Sequence, residues 1–230
     1  MLKLITFASA LGLRSPSPFA VKADLLLAMS GLPYERQFGD VRKAPKGKLP
    51  VLNDGGKLIP DSRHIQRYLE TEKGADFDGH LSAEQMAVTM AFRRLIEEHL
   101  YFINVHFRWM EHAEVIKESF FAAAPALIRG LIFNSVQKTL KKTLELQGIG
   151  RFSREEIIEF GVEDIQAIAA QLGKSPYFMG KKISSIDASV YGVLHGLIDC
   201  DLDTPIKDEC LKHDNLVDYC QRIAKEFPFR

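Results

Sequence analysis

Apolar residues change their spacing along this chain near residue 80. Before that point they come in short runs. Residues 2–7, 34–38 and 50–53 read as strands, and 19–29 carries apolar side chains at helical spacing. Gly31-Leu32-Pro33 ends that helix with the expected glycine and proline. Asp54-Gly55-Gly56 is a hairpin signal into a fourth strand at 57–59, and a helix opens at Asp61 with Ile65, Tyr68 and Leu69 on one face. Beyond residue 80 the pattern predicts long helices over 82–115, 116–146, 153–172, 188–198 and 211–227. Ser153-Arg154-Glu155-Glu156 and Ser184-Ser185-Ile186-Asp187 serve as caps. The order β-α-β, loop, β-β-α, then helices alone divides the chain into an α/β domain over 1–75, a linker over 76–83 and an all-α domain over 84–230.

With 230 residues, 46% of them hydrophobic, the chain can bury proper cores in one large domain or two small ones. Lysine and arginine number 30 against 30 acids, so no basic field calls for nucleic acid or anionic lipid. No apolar run reaches the length of a membrane span and the N-terminus does not read as a signal peptide, so a cytoplasmic protein is expected. Cys200, Cys210 and Cys220 lie ten apart, in no zinc or C-x-x-C pattern, and read as reduced, buried thiols.

The most specific stretch is Gly47-Lys48-Leu49-Pro50-Val51-Leu52. A proline at the mouth of a strand cannot donate to the ladder, and a cis bond there frees the neighbouring backbone to meet something else. Asp61-Ser62, an acid and a hydroxyl at a helix start, caps the helix and makes a place for a ligand carboxylate. Together they suit a peptide-like ligand.

These residues resemble the glutathione S-transferase superfamily, which pairs a thioredoxin-like N-terminal domain with an all-α C-terminal domain. Gly31-Leu32-Pro33-Tyr34-Glu35 resembles the turn into the second strand, Lys48-Leu49-Pro50-Val51 the cis-proline element and Asp61-Ser62 the acid–serine pair. Ser184-x-x-Asp187, behind Ile183, resembles the capping box and staple of the late buried helix. More narrowly, Ser17-Pro18-Phe19-Ala20-Val21-Lys22 and Lys43-Ala44-Pro45-Lys46-Gly47-Lys48-Leu49-Pro50 resemble the failed-axon-connections and metaxin-like branch.

The resemblance implies glutathione as co-substrate and a small apolar electrophile as its partner in reaction. The thiol must ionise to react. Lowering its pKa from about 8.5 by two units requires roughly 2.7 kcal/mol. A hydroxyl donating to the anion supplies about 1.5–3 kcal/mol, and a helix N-terminus roughly 0.3–1 kcal/mol more. Ser17 is the expected donor, because Ser17-Pro18-Phe19-Ala20 resembles a glutaredoxin-like Cys-Pro-Phe-Cys site with both sulfurs replaced. Ser15 is the runner-up and Ser9 a distant third; an ordinary helix cap is the competing reading for Ser17.

The resemblance further assigns the Leu49 backbone, exposed by Pro50, to the cysteinyl amide. It assigns Asp61 to the γ-glutamyl ammonium, Ser62 to its carboxylate and Lys48 to the glycyl carboxylate, with Arg14 a weaker anion candidate. Tyr101, Phe102, Val105, His106, Trp109 and Met110 recur at helical spacing as an electrophile pocket, led by Tyr101, His106 and Trp109. His99 and His106 near Glu98 lack a short-range third ligand, so no metal is expected. A homodimer acting in detoxification follows from the same resemblance. The other readings are a non-catalytic interaction module of the metaxin-like kind, and a glutathione-dependent peroxidase or isomerase.

Overall fold

The computed structural model describes residues 1–122 and 124–228. Strand β1 (Leu2–Thr6) buries Leu2, Leu4 and Thr6 on one face, with the period of two a pleated strand imposes. Beside it β2 (Tyr34–Phe38) runs parallel, while β3 (Val51–Asp54) runs antiparallel and is followed through a tight hairpin by β4 (Lys57–Pro60). The sheet order is β2-β1-β3-β4. A parallel pair needs a crossover, which α1 (Pro18–Ser30) supplies, closed at Gly31 in the left-handed conformation. Helix α2 (Ser62–Lys73) completes the thioredoxin-like unit expected from the β-α-β, β-β-α order. Between β2 and β3 there is a single 3-10 turn, Val41–Lys43, in place of a full helix.

The helical half departs from the sequence pattern at its joints. The stretch expected as one helix over 82–115 is α3 (Ala83–Arg94), a π-helical stretch over Leu95–Leu100, α4 (Tyr101–His106) and a second π stretch over Phe107–Glu111. A bend at His112 then leads into α5 (Ala113–Phe120). Wide turns rotate the faces that a uniform 3.6 period would align. The helix expected over 116–146 is interrupted, because Pro125 has no N–H to give and disfavours helical backbone at the residue before it; α6 runs Ala126–Gln147.

Ser153 and Glu156 close the predicted capping box of α7 (Arg154–Leu172). Asp187 accepts from the Ser184 N–H at 2.8 Å at the start of α8 (Ser185–Ile198). The last expected helix, over 211–227, forms at 214–226, and a further short helix stands before it. Thr204 caps and Pro205 opens α9 (Pro205–Leu211), and α10 (Asp214–Glu226) follows a break at 212–213.

One apolar core runs through both halves, from Leu4, Leu25 and Leu26 across to Ile186, Val190 and Leu194 of α8. α8 lies along α1 so closely that a Cβ on Gly192 would stand 2.6 Å from the Pro18 carbonyl oxygen. Across the same seam the buried Lys22 Nζ meets Glu97 Oε1 at 2.5 Å, and the Ser189 hydroxyl donates to that carboxylate at 2.7 Å. A satellite core gathers Leu11, Leu13, Ile116, Phe133, Cys200 and Leu202. The three cysteines are free and buried, and burial pushes the Cys210 thiol up to about 12.

Candidate functional site

The Leu49–Pro50 peptide is cis, and the ladder of β3 starts only at Val51. The Leu49 N–H and C=O thus lie outside it, on the edge where the chain enters the sheet. The Pro50 carbonyl accepts from the Asp61 N–H at 3.1 Å, which holds the cis turn against the start of α2. Asp61 caps that helix, its carboxylate accepting from the Arg63 N–H at 2.9 Å. Its backbone sits at φ 81°, a conformation that costs a non-glycine residue of order 1–3 kcal/mol. Burial pushes the Asp61 carboxyl up. The Arg63 N–H and the nearby Lys48 and Lys46 cations, with the His64 ring beside them, more than reverse this and hold it below the usual range. Ser62, the first residue of α2, is buried. Lys48 is largely exposed, with its Nζ 3.6 Å from Asp61 Oδ2.

Ser17 is the N-cap of α1, its Oγ accepting from the Ala20 N–H at 3.4 Å. Ser15 Oγ accepts from the Ser17 N–H, also at 3.4 Å. Each hydroxyl spends a lone pair and keeps its proton to donate, the property a thiolate partner requires. Ser17 is half-buried and Ser15 is buried, so Ser17 is the more accessible donor. The third candidate, Ser9, gives its proton to the Arg14 carbonyl at 3.2 Å. The Arg14 Nε lies 3.4 Å from the buried Asp24 carboxylate.

A cleft of about 580 Å³ opens between the two halves, at the starts of α1 and α2. The thioredoxin-like side contributes Phe19, Asp61 and Arg63; the helical side contributes Met86, Ala87, Thr89, Met90, Arg93, Arg94, Glu97 and Glu98. The aromatic stripe expected to line it mostly packs elsewhere. Trp109 lies over Phe133 at 6.3 Å with Phe120 and Phe121 at its edges, part of the satellite core. His106 meets Phe107 edge-on, and Val105 is buried. Phe102 and Met110 pack against the main core. Tyr101 stands one layer behind the cleft, its ring 4.8 Å from Phe19. His99 is engaged with Asp164 at 2.6 Å, and no group of three or more metal-binding side chains gathers among the described residues.

The wall contributed by α3 went unread in the sequence although its signal was there. Met86, Met90, Arg93, Arg94 and Glu97 recur at spacings of three and four, one face of a helix. Arg108 also went unread. Its buried guanidinium donates to the Pro16 carbonyl at 2.6 Å and to the Gly196 carbonyl at 3.2 Å, fastening the serine loop to the helical half. No local pattern announces a residue whose partners lie about ninety positions away on either side.

A family model described as the glutathione S-transferase N-terminal domain matches residues 18–114, and one described as the C-terminal domain matches 161–223. The isoprene-epoxide–glutathione S-transferase of Rhodococcus sp. (strain AD45) is 31% identical, with 99% of each chain covered. Failed axon connections of Drosophila melanogaster is 30% identical over 94% of this chain and 56% of its own length. Human metaxin-2 is 23% identical over 80% and 71%. Among solved structures, the β-etherase LigF of Sphingobium sp. strain SYK-6 superposes with a TM-score of 0.68 at 19% identity, covering 97% of this chain and 94% of that one. A glutathione S-transferase of Ceriporiopsis subvermispora in complex with glutathione gives 0.65 at 17% identity, covering 97% and 96%. With the cis-proline edge and the capped α2 in place and identity to a transferase sustained over the full length of both chains, the protein belongs to the glutathione S-transferase superfamily.

Proposed function

We propose that this chain binds glutathione along the cis-Pro50 edge, holds its thiolate with the Ser17 hydroxyl and transfers it to a small electrophile. The observation that carries the reading is the juxtaposition at Pro50. An unladdered Leu49 peptide unit, able to pair with the cysteinyl amide, is tied by the Pro50–Asp61 hydrogen bond to a helix start. That start presents an ionised acid for the γ-glutamyl ammonium and the Ser62 N–H and hydroxyl for the carboxylate. Lys48 is at hand for the glycyl carboxylate. The strained backbone of Asp61 supports the assignment, since such strain persists where a site needs it.

The Rhodococcus relative's name makes an epoxide the first electrophile to try. The thiolate sulfur bonds a ring carbon, the carbon–oxygen bond breaks, and the alkoxide takes a proton from water. The test is calorimetric titration of glutathione into wild type and Ser17→Ala, with bound thiolate followed by ultraviolet difference absorbance. Micromolar to low-millimolar binding in both, with a neutral-pH thiolate signal only in wild type, is the expected result. Binding with an equal signal in the variant would remove Ser17 from the reaction, and no binding would remove glutathione.

One observation favours a second reading, that of an interaction module. The outer face of α6 leaves Leu127 95% and Leu131 71% exposed, with Ile128 beside them, an apolar patch of the kind that marks association. A second copy of this chain, giving a homodimer, and a different partner are both compatible with that face. Light scattering of the purified protein separates the two.

A further inference from the structure

Arg108 is 6% exposed, and among the described residues its side-chain partners and electrostatic neighbours include no carboxylate. Its hydrogen bonds go to neutral groups, the carbonyls of Pro16 and Gly196, with the Cys200 sulfur 4.0 Å away. The titratable groups facing it are the Cys200 thiol and the Tyr101 hydroxyl, and both are neutral when protonated. A buried charge without a counter-charge is costly, and a bound anion would offset that cost.

The place is specific. The Pro16 carbonyl that Arg108 grips belongs to the peptide unit whose N–H, that of Ser17, donates to Ser15 Oγ. A cation on the carbonyl end polarises that peptide. Both serines candidate for the thiolate lie within one residue of the gripped carbonyl. Gly196 of α8 accepts the second bond, so the same guanidinium ties the serine loop to two helices of the other half.

We infer that Arg108 is a positioning residue for glutathione activation: it fixes the Ser15–Ser17 loop and supplies the buried positive charge that answers the bound thiolate. The inference rests on the glutathione reading above and adds to it the charge that a serine hydroxyl lacks. It also explains why a single serine is enough. At an effective dielectric near 20, a buried cation beside the site shifts the thiol's ionisation by an amount on the order of one pH unit.

The experiment is a pH titration of the glutathione complex by ultraviolet difference absorbance, for wild type, Arg108→Lys, Arg108→Gln and Arg108→Met, with thermal unfolding of each. Arg108→Lys keeps the charge and is expected to ionise bound thiol near the wild-type pH. The two neutral variants are expected to move the midpoint up by about one unit, roughly a tenfold loss of thiolate below it. Measured below the wild-type midpoint, where the bound thiol is protonated in every protein, their glutathione Kd should change by less than about threefold. A merely structural arginine would lower stability and leave the midpoint of the folded fraction where it was, and that result overturns the inference.

If the neutral variants do not fold, the guanidinium nitrogen resonances of wild type, assigned by their loss in Arg108→Lys, are followed instead. A response to glutathione that S-methylglutathione does not reproduce supports the inference, and equal or absent responses overturn it. A wild-type complex showing no thiolate below pH of about 8.5 overturns the glutathione-activation reading itself, before any variant is compared.

Discussion

Asp61 concentrates three demands on one residue: it caps α2, it carries a charge into the cleft, and it holds a left-handed backbone. Substitution separates them. Asn caps as well as Asp, so Asp61→Asn should leave stability within about 0.5 kcal/mol. Loss of a charge-assisted bond of about 1.5–3 kcal/mol should weaken glutathione at least tenfold. Asp61→Gly relieves the positive φ and costs only a few tenths as a cap, so its melting temperature should equal or exceed wild type while binding is lost. An Asp61→Gly protein that binds normally would remove Asp61 from the ligand. The lowered carboxyl also sets a sign. Its contribution to folding is fully present above the unfolded value of about 3.9 and is lost as pH falls through the lower folded one. The stability difference between wild type and Asp61→Asn should therefore be flat from neutral pH down to about pH 4, shrink as pH falls from there through the lower folded value, and level off below it.

At the scale of elements, the contact between α1 and α8 decides where Ser17 sits. Glycine inside a helix is ordinarily a defect, and alanine there is worth about 1 kcal/mol. At Gly192 the Cβ would meet the Pro18 carbonyl, backbone rather than a yielding side chain, at 2.6 Å. Gly192→Ala is thus expected to destabilise by about 1–3 kcal/mol, read as a lower urea midpoint, and to diminish the thiolate signal because Pro18 moves with Ser17. A stabilised variant would mean that the helices part freely. Elements themselves were largely legible: the strands, the Gly31 stop and the Ser153 cap follow from local chemistry that needs no partner. The errors fell at breaks. Pro125 is a local signal for the break before α6, whereas the two π stretches carry no local signal.

For the whole molecule, the seam between the halves holds a buried ion pair, Lys22 with Glu97, in the wall behind the cleft. Such a pair adds little over apolar packing, but removing one partner strands the other. Lys22→Met is expected to cost about 3–5 kcal/mol. The double variant Lys22→Met/Glu97→Gln should cost clearly less than the two single changes added, a coupling on the order of 0.5–3 kcal/mol by denaturant unfolding. Additive losses would show that the two side chains act separately. The same pair implies that the halves unfold in one transition, which coincident far- and near-ultraviolet dichroism curves would check.

Cis-Pro50, the Asp61-Ser62 helix start and the Ser17 cap could be found in the sequence because each is a local conformational necessity. A proline that cannot ladder, an oxygen before a helix and a hydroxyl before Pro18 are visible without a third dimension. The face of α3 that walls the cleft, the retreat of Trp109 into a satellite core and the grip of Arg108 on Pro16 belong to tertiary structure alone. An amphipathic helix reports that it has an apolar face and never says which neighbour will cover it. A buried cation shows its purpose only once the groups around it, far apart in the chain, have been brought together.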